Sequence, residues 1–387
     1  MNIAARSAKL DEFEDITKLI NQVFRLSKNF NPTMVEEFPL LLNKNNIENM
    51  VVISQGNTIV SDANYLIQDV SIQGEKIKVA AIGAVCTHPD YEKRGLSSKV
   101  LDVVENKMYS DDVDVMIVSG TRSLYTRRNC SLIKSFYKYS FSPNPTENLD
   151  IPSNIKIVEF DNNSINYDDL NRIIQMYNQN STRYLRTKKE FTTLLHSATM
   201  PWGPISYKKI LVKNNDLTIG YIILRVIEND GNPFAEVAEM SLDNYYVENI
   251  LKNICYKYNF KKIVYYVHVR NTKDQLQSIS NKELDYQQGS LKIINFEKLC
   301  KSLSKYFKSY FDLNFVDNLQ FIQNNNKYII KYKNEELVID DLSKLNKLFF
   351  EYNESQFEEF KDLENIYSFA KTVFPLDFPW TANLNYQ

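Results

Sequence analysis

The stretch KIKVAAIGAVCTHPDYEKRGLSSKVL, residues 76–101, constrains the fold of this chain more than any other. Its apolar run over 79–86 has the length of a buried strand, and 96–108 carries apolar residues at helical spacing. A tight basic turn over 92–98 joins the two, and Gly95 permits close approach of the backbone to a ligand. The start of such a helix presents free N–H groups and partial positive charge, which suit a pyrophosphate.

Two well-known phosphate-binding motifs do not account for this turn. It lacks the Gly-Lys-Ser/Thr of the nucleotide phosphate loop, and it lacks two of the three glycines of the dinucleotide fingerprint. A plain connection between a strand and a helix, with a solvated basic corner, fits the same residues. The residues of the turn alone do not distinguish this alternative from a phosphate-binding site.

The composition is that of a globular protein. A length of 387 residues predicts two or three domains, and 43% hydrophobic with 24% charged residues is ordinary. The formal charge of -2 gives no indication of a nucleic-acid partner. Widely spaced cysteines without a CxxC, and three histidines, predict reduced thiols and no metal site. We expect a cytoplasmic protein, since neither a signal region nor a stretch of membrane-span length is seen. The cysteines are Cys86, Cys130, Cys255 and Cys300.

The pattern of the first third of the chain predicts one α/β unit. Helical spacing predicts a helix over 10–25, and two strands are predicted to form a hairpin that turns at Gln73-Gly74. A helix over 96–109 and a buried strand over 112–118 follow, and 123–133 is predicted as a short helix.

Two further units follow a proline-rich linker. The order of elements over 153–272 echoes the first unit, but Asp243 to Tyr246 replace the basic-glycine turn, so we expect a degenerate copy that does not bind the phosphate ligand. Residues 288–374 form a third unit, and its apolar, aromatic tail is expected to dock against the protein. The predicted domains are 1–148, 149–286 and 287–387.

Residues 87–97 resemble the acetyl-CoA signature of the GNAT superfamily of N-acetyltransferases. Thr87-His88-Pro89-Asp90-Tyr91 is similar to its Val-x-Pro-x-Tyr half, and Glu92-Lys93-Arg94-Gly95-Leu96-Ser97 to its Gln/Arg-x-x-Gly-x-Gly/Ala half. Glu92 and Ser97 depart from that pattern. The resemblance implies acetyl-CoA as co-substrate and no metal. The cofactor-binding residues that it implies are Val85, Cys86, Thr87, Lys93, Arg94, Gly95, Leu96, Ser97 and Ser98.

The layout of the whole chain resembles the enhanced-intracellular-survival (Eis-like) branch of that superfamily. This resemblance implies an α/β (α+β) fold with a GNAT-fold N-terminal domain and a second, degenerate GNAT-like domain. It also implies a C-terminal sterol-carrier-protein-like α/β domain whose tail docks toward the active site. The branch tends to assemble into rings, which implies a homo-oligomer.

The resemblance also implies two catalytic residues. Tyr125, in a segment similar to the helix after the family's fifth strand, would protonate the CoA thiolate that leaves. The C-terminal carboxylate of Gln387 would take the proton of the attacking amine. The alternatives are a tyrosine packed in the core with its hydroxyl satisfied, and a tail that packs elsewhere.

The expected function is acetyl-CoA-dependent transfer of an acetyl group to a primary amine. The acceptor would be a small polyamine, an aminoglycoside or a lysine, attacking directly in a ternary complex. An acyltransferase for longer acyl chains is one alternative. Another, motivated by Glu92 and Ser97, is a catalytically impaired protein that senses acyl-CoA or binds a ligand or partner.

Overall fold

The computed structural model describes residues 4–143, 151–198, 203–271 and 282–386. These residues form three β-sheets with helices between the strands. Two of the sheets have seven strands each and one has three. Helices pack on their faces, so the fold belongs to the mixed α/β class that the sequence predicts.

The first part of the chain begins with a short strand and a helix and then forms the long antiparallel strands of the first sheet. Its strands are β1 Arg6–Ser7, β2 Met50–Gln55, β3 Thr58–Ile72, β4 Glu75–Thr87, β5 Val115–Val118 and β6 Lys134–Phe141. Its α-helices are α1 Phe13–Phe24, α2 Met34–Glu37, α3 Leu96–Ser110 and α4 Ser123–Thr126. Its 3₁₀ turns are Leu10–Glu12, Leu26–Lys28, Lys44–Asn49 and Pro89–Tyr91.

The predicted hairpin is confirmed. β3 and β4 pair along most of their length and turn at Gln73 and Gly74, whose φ angles are 50° and 93°. Two consecutive residues with positive φ give the primed turn that matches the twist of paired strands. The predicted helix over 123–133 is wrong, since α4 ends at Thr126 and Asn129 enters the left-handed region before β6.

The connection from β4 to β5 sets up the cleft of the first sheet. The two strands are parallel and are joined through α3, which packs on the sheet through Val100 and Val104. Their pairing runs from Val79 opposite Val115 to Ile82 opposite Val118. Beyond the Ile82–Val118 pair, which we call the vertex, β4 continues without β5 as its partner.

The second part of the chain repeats this arrangement. Its strands are β7 Ile155–Phe160, β8 Arg183–Tyr184, β9 Ile205–Asn214, β10 Leu217–Ile227, β11 Phe234–Ser241, β12 Ile263–His268 and β13 Lys282–Tyr286. Its helices are α5 Tyr167–Asn178, α6 Lys188–Ser197 and α7 Asn244–Lys257, with a 3₁₀ turn at Val269–Asn271.

The parallel pair of the second sheet also separates early. β11 pairs with β12 only at Ala235–Ile263 and Glu236–Val264, and α7 follows β11 as α3 follows β4. The carboxylate of Asp243 caps α7 and accepts from the Tyr245 N–H. A carboxylate therefore stands at the helix start where the first unit has a glycine, and it would repel a pyrophosphate there.

The two large sheets exchange strands. β6 lies in the second sheet, paired with β12 and β13, and β14 (Ser290–Ile293) lies in the first sheet, antiparallel to β5. The short strand β8 also crosses over and pairs with β3. Residues 148 and 149, at the first predicted domain boundary, lie outside the described residues. Both predicted boundaries, 148/149 and 286/287, stay predictions. Strands of the two large sheets pair across them.

The third part of the chain builds the small sheet and covers the first. Its strands after β14 are β15 Leu319–Asn324, β16 Lys327–Tyr332 and β17 Glu335–Ile339. Its helices are α8 Phe296–Ser302, α9 Ser304–Lys308, α10 Leu313–Asp317, α11 Leu342–Phe350 and α12 Glu364–Val373, with a 3₁₀ helix at Glu354–Phe360. One apolar core joins this part to the first sheet, through Val70 and Val79 on the sheet and Phe296 and Phe369 on the helices. Its resemblance to sterol carrier proteins stays a prediction.

Neither a membrane span nor a metal cluster is found in the described ranges. No helix there is long and apolar enough to cross a membrane. No group of three or more His, Cys, Asp or Glu side chains lies close enough to hold a metal ion.

The tail after α12 packs into the junction of the three parts. Asp377, with 1% of its side chain exposed, accepts hydrogen bonds from Gln73 (2.7 Å), Thr182 (2.6 Å) and Asn271 (2.8 Å). His268 Nδ1 lies 3.3 Å from the same carboxylate, and burial lowers the pKa of this histidine to about 4 although Asp377 opposes the shift. Asp377 therefore joins the first hairpin, the second sheet and the tail through one buried group.

Replacement of Asp377 by Ala tests this junction. Three donors from two parts of the chain would lose their buried acceptor, and because Gln73 and Asn271 are exposed and can bind water instead, the free energy of unfolding should fall by about 2 kcal/mol. Chemical denaturation of the parent and of the variant measures this. Asp362→Ala, at an exposed aspartate of the same part of the chain, is the matched control. Equal small losses in both variants would show that the junction is not held by Asp377.

Candidate active site

The turn over 92–98 exposes backbone amides at the start of α3. Lys93 and Gly95 have positive φ angles of 60° and 73°, and Gly95 is the N-terminal cap of this 15-residue helix. The N–H groups of Leu96, Ser97 and Ser98 are the first three of α3, so they have no acceptor within the helix. Together with the helix dipole they form an anion-binding surface.

A chain of hydroxyl groups holds this turn against the sheet. Thr87 Oγ1, at the end of β4, lies 2.8 Å from Ser61 Oγ on β3 and 2.9 Å from Ser97 Oγ on α3. Ser61 also donates to the carbonyl of Cys86. Ser97, which departs from the small Gly or Ala of the family pattern, thus ties α3 to β4 through its side chain.

The basic side chains near the turn are oriented by local contacts. Arg94 donates to the carbonyl of Asp90 at 2.8 Å, and its guanidinium lies 4.9 Å from the ring centroid of Tyr91. Arg128 is held by Asp102 at 2.6 Å and by further contacts with Glu105 and Ser98, so it packs on α3. Lys93, by contrast, is exposed beside the free amides.

His88 has a structural role at this position. Its Nδ1 accepts from the Asp90 N–H at 3.3 Å and caps the 3₁₀ turn that leads into the basic turn. His88 therefore shapes the entry to the anion-binding surface.

A bulge in β4 lies between this surface and the vertex. Ala84 has a φ of 52°, and the register with β3 shifts at this point. Val85 and Cys86 follow the bulge, and Asn64 on β3 donates to the carbonyl of Ala84 at 3.3 Å. Such bulges bend a strand and redirect its backbone groups, and here the bend carries β4 away from β5.

A buried carboxyl group supports the bulge from β3. Asp62 is fully buried and accepts from the thiol of Cys86 at 2.7 Å and from Asn64 at 2.6 Å. Burial raises the pKa of Asp62 to about 7 against the lowering effect of these two hydrogen bonds. Burial and the adjacent Asp62 raise the pKa of Cys86 well above its ordinary value, so this thiol is not a thiolate nucleophile.

Tyr125 lies on the β5 side of the cleft. Its ring packs on Gly120, where a Cβ would lie 2.8 Å from Tyr125 Cε2, so a larger residue at 120 would displace the ring. Leu96, Val118 and Tyr125 belong to one apolar cluster, and Val85 packs against it. Burial raises the pKa of the phenol above its ordinary value, with Arg122 opposing. The phenol of Tyr125 is therefore neutral beside the cleft.

The tail reaches the vertex of the cleft. Tyr386 lines a cavity of about 10 Å³ together with side chains of β4, β5 and the loop before β14. The other lining residues are Ala81, Ile82, Ile117, Val118, Ser119, Gln288 and Thr381. Gln387, the predicted base, lies outside the described residues, one position beyond Tyr386.

The structure thus brings together most of the predicted site. Val85, Leu96 and Tyr125 share one cluster, and Thr87 contacts Ser97 directly. Asp62, Asn64 and Tyr386 were not predicted. Polar residues in the apolar strand β3 were a signal for the first two, since Asp and Asn are unfavourable inside a buried strand unless partnered.

Comparisons with known proteins agree with this geometry. Residues 4–133 match the model of the acetyltransferase (GNAT) domain family. The fold resembles that of a GCN5-related N-acetyltransferase from Anabaena variabilis (12% identity, 90% of both chains covered, TM-score 0.61). It also resembles Eis1 from Mycobacterium abscessus (10% identity, 98% of both chains covered, TM-score 0.60).

A probable N-acyltransferase from Enterococcus faecalis is similar over 97% of both chains, at 13% identity and a TM-score of 0.62. No curated protein matches the chain. Residues 4–133 therefore form an acetyltransferase domain, and the protein is an N-acetyltransferase in class. The likeness to Eis1 extends over nearly the whole chain and concerns the fold.

Replacement of Gly95 by Ala tests the anion-binding turn. A Cβ there would meet no atom within 4 Å, so the cost is the left-handed backbone alone, about 1 kcal/mol. Relief of that strain would rotate the first amides of α3, and we expect acetyl-CoA affinity to fall by roughly 10-fold, the equivalent of about 1.4 kcal/mol. Calorimetric titration measures this.

Gly231→Ala is the matched control, because Gly231 has a similar φ of 77°, also has open space, and lies between β10 and β11. It should lose similar stability without loss of affinity. Equal affinity changes in the two variants would contradict an anion site at this turn.

The ionisation of Asp62 predicts a pH dependence of stability. The folded-state pKa of about 7 lies above the ordinary value of 3.8, so between these pH values the folded state holds a proton that the unfolded state has lost. Stability should therefore fall as pH rises from 5 to 7, by at most roughly 1.4 kcal/mol per pH unit. Asp62→Asn should remove this slope, and the exposed Asp216→Asn should not. Parallel pH profiles for all three proteins would contradict the assignment.

Proposed function

We propose that this protein transfers the acetyl group of acetyl-CoA to a primary amine in a ternary complex. The observation that carries the proposal is the convergence of three features on one cleft. These are the free amides of Leu96–Ser98, the separation of β4 from β5 beyond the vertex, and the buried phenol of Tyr125 beside Val118. The pyrophosphate would bind the 93–98 turn, and the pantetheine would extend along β4 toward the vertex.

The unpaired edge of β4 suits an extended amide-bearing ligand. The backbone of Val85, Cys86 and Thr87 lies past the last pair with β5, so its polar groups on that side are available to a pantetheine arm. Backbone N–H groups of the bulge would polarise the thioester carbonyl, and they cost no reorganisation because Asn64 and Asp62 already hold the bulge.

In the chemical step the amine nitrogen attacks the thioester carbon, and the C–S bond breaks. Tyr125 gives its phenolic proton to the leaving thiolate, and it regains a proton from water after the product departs. The proton of the attacking ammonium goes to a base, for which we propose the carboxylate of Gln387. The placement of its neighbour Tyr386 at the vertex supports this role.

The acceptor would approach from the α1 side of the first sheet. Leu66 on β3 faces the α1 core. Asp62, Asn64 and Gln68 lie at every second position from Leu66 and face the same side. The side-chain oxygens of Asn64 and Gln68 are buried without a hydrogen-bond partner in the described part of the chain. Because an ammonium group offers three N–H donors, this row of acceptors suits a polyamine, an aminoglycoside or a lysine side chain.

Tyr125→Phe tests the proposed acid. The ring and its packing on Gly120 remain while the proton is lost, so turnover should fall by roughly 100-fold and acetyl-CoA affinity should change little. Steady-state kinetics with a panel of the three amine classes, together with calorimetric titration, measures both. Tyr109→Phe, at an exposed tyrosine of α3, is the control. Unchanged turnover in Tyr125→Phe would exclude the role.

The same experiment separates the enzyme from a sensor. Binding of acetyl-CoA by the parent without transfer to any amine would favour a protein that only senses acyl-CoA. Absence of binding would show that Glu92 marks a lost site.

A further inference from the structure

The cavity at the vertex is small, and two of its walls are stiff. Its volume of about 10 Å³ is room for roughly one water molecule. Ile82 and Val118 form the last pair of the two parallel strands and are buried in the core of the first sheet. A larger occupant could not move these walls without opening the sheet. The tail contributes Tyr386 and Thr381 to the remaining walls, and Ser119 and Gln288 complete the lining.

The backbone at Tyr386 is held in place by contacts of the tail. Its N–H donates to the carbonyl of Asn383, and the preceding Asn385 accepts from Arg186 Nε at 2.6 Å. Arg186 is buried and paired with Glu239 of β11 at 2.7 Å. The tail is thus anchored on the second sheet, while Tyr386 lines the cavity beside β4 and β5 of the first.

A second anchor holds the tail beside the loop before β14. Thr381 donates to the carbonyl of Gln288 at 2.7 Å, and both residues also line the cavity. On the second-sheet side, burial raises the pKa of Tyr207, and Glu37 and Tyr386 add to this effect. Tyr386 is therefore close enough to both large sheets to close the vertex between them.

The vertex is where the acyl end of a bound acyl-CoA would lie. From Thr87, beside the anion-binding turn, to Ile82 the chain advances five residues, or about 16 Å at the rise of a strand. That span is on the scale of an extended pantetheine arm. We infer that Tyr386 closes the acyl pocket at the vertex and limits the transferred group to the size of acetyl. This inference rests on the proposed function and deepens it, since the sequence leaves the acyl chain length open.

The cavity has room for one group of about the size of a water molecule, such as the methyl of acetyl, so a longer acyl chain would have to displace Tyr386. Because the neighbouring Asn385 is anchored by Arg186, displacement of Tyr386 carries a cost that an acetyl group avoids. Apolar pockets that fit closely discriminate against extra methylene groups by roughly 10-fold or more. Removal of the ring should abolish this discrimination and leave the sheet walls in place.

The kinetic test compares acetyl-, propionyl- and butyryl-CoA with one amine in the parent, Tyr386→Ala and Tyr386→Phe. The parent should use acetyl-CoA with a kcat/KM roughly 10-fold above that for butyryl-CoA. Tyr386→Ala should lose most of this ratio, and Tyr386→Phe, which keeps the ring, should retain it. An unchanged ratio in Tyr386→Ala overturns the inference. Tyr256→Ala, at an exposed tyrosine of α7, is the control and should behave as the parent.

A binding measurement covers the case in which Tyr386→Ala does not fold. Calorimetric titration of the parent with S-ethyl-CoA and S-butyl-CoA, thioethers that cannot transfer, should show weaker binding of the butyl compound. Equal affinities overturn the inference. If the parent transfers acetyl without a preference in chain length, only this inference fails. If it neither binds nor transfers acetyl, the proposed function fails first.

Discussion

The separation of β4 from β5 beyond the Ile82–Val118 pair is the constraint on which the rest of the site depends. Two parallel strands that remain paired leave no room for a ligand between them. Here the bulge at Ala84 turns β4 aside, and the support for that bulge comes from β3 through Asn64 and the buried Asp62. The cost of burying a carboxyl group is thus part of what keeps the cleft open.

The second sheet has the same parallel pair followed by a helix, but a different helix start. Its parallel pair β11–β12 also separates, but the start of α7 carries the Asp243 carboxylate instead of a glycine turn. The residues that border this second cleft serve the tail: Glu239 holds Arg186, which holds Asn385, and His268 lies against Asp377. The second part of the chain therefore supports the tail that reaches the first cleft.

Local physical chemistry made part of this structure predictable. The hairpin at Gln73-Gly74, the strand β4 and the helix after Gly95 depend on residues close in sequence, and these predictions are confirmed. The spacing of apolar residues over 296–311 predicts one helix, but the structure has two helices, α8 and α9, that meet at Leu303, whose side chain is fully buried in the shared core. A periodicity argument cannot foresee such a break, because the cause lies in packing against the first sheet.

The candidate site likewise combines local features that the sequence predicts with long-range contacts that it does not. The turn and Tyr125 carry local signatures, whereas the pairing of Asp62 with Cys86 requires the register of β3 on β4. The position of Tyr386 requires three separate anchors on the tail, each supplied by a distant part of the chain. Non-local pairings of this kind are invisible to single-sequence reasoning, and the exchange of β6 and β14 between the sheets is a further case.

That exchange has a consequence for how such a molecule can be divided. Neither large sheet is complete from a contiguous piece of chain, since β5 is covered by β14 and β12 by β6. A cut at the linker would leave each half with an open strand edge, a surface that invites aggregation. The catalytic unit is therefore not a transplantable module. A functional recombinant of two relatives would therefore need both halves of the chain from the same parent.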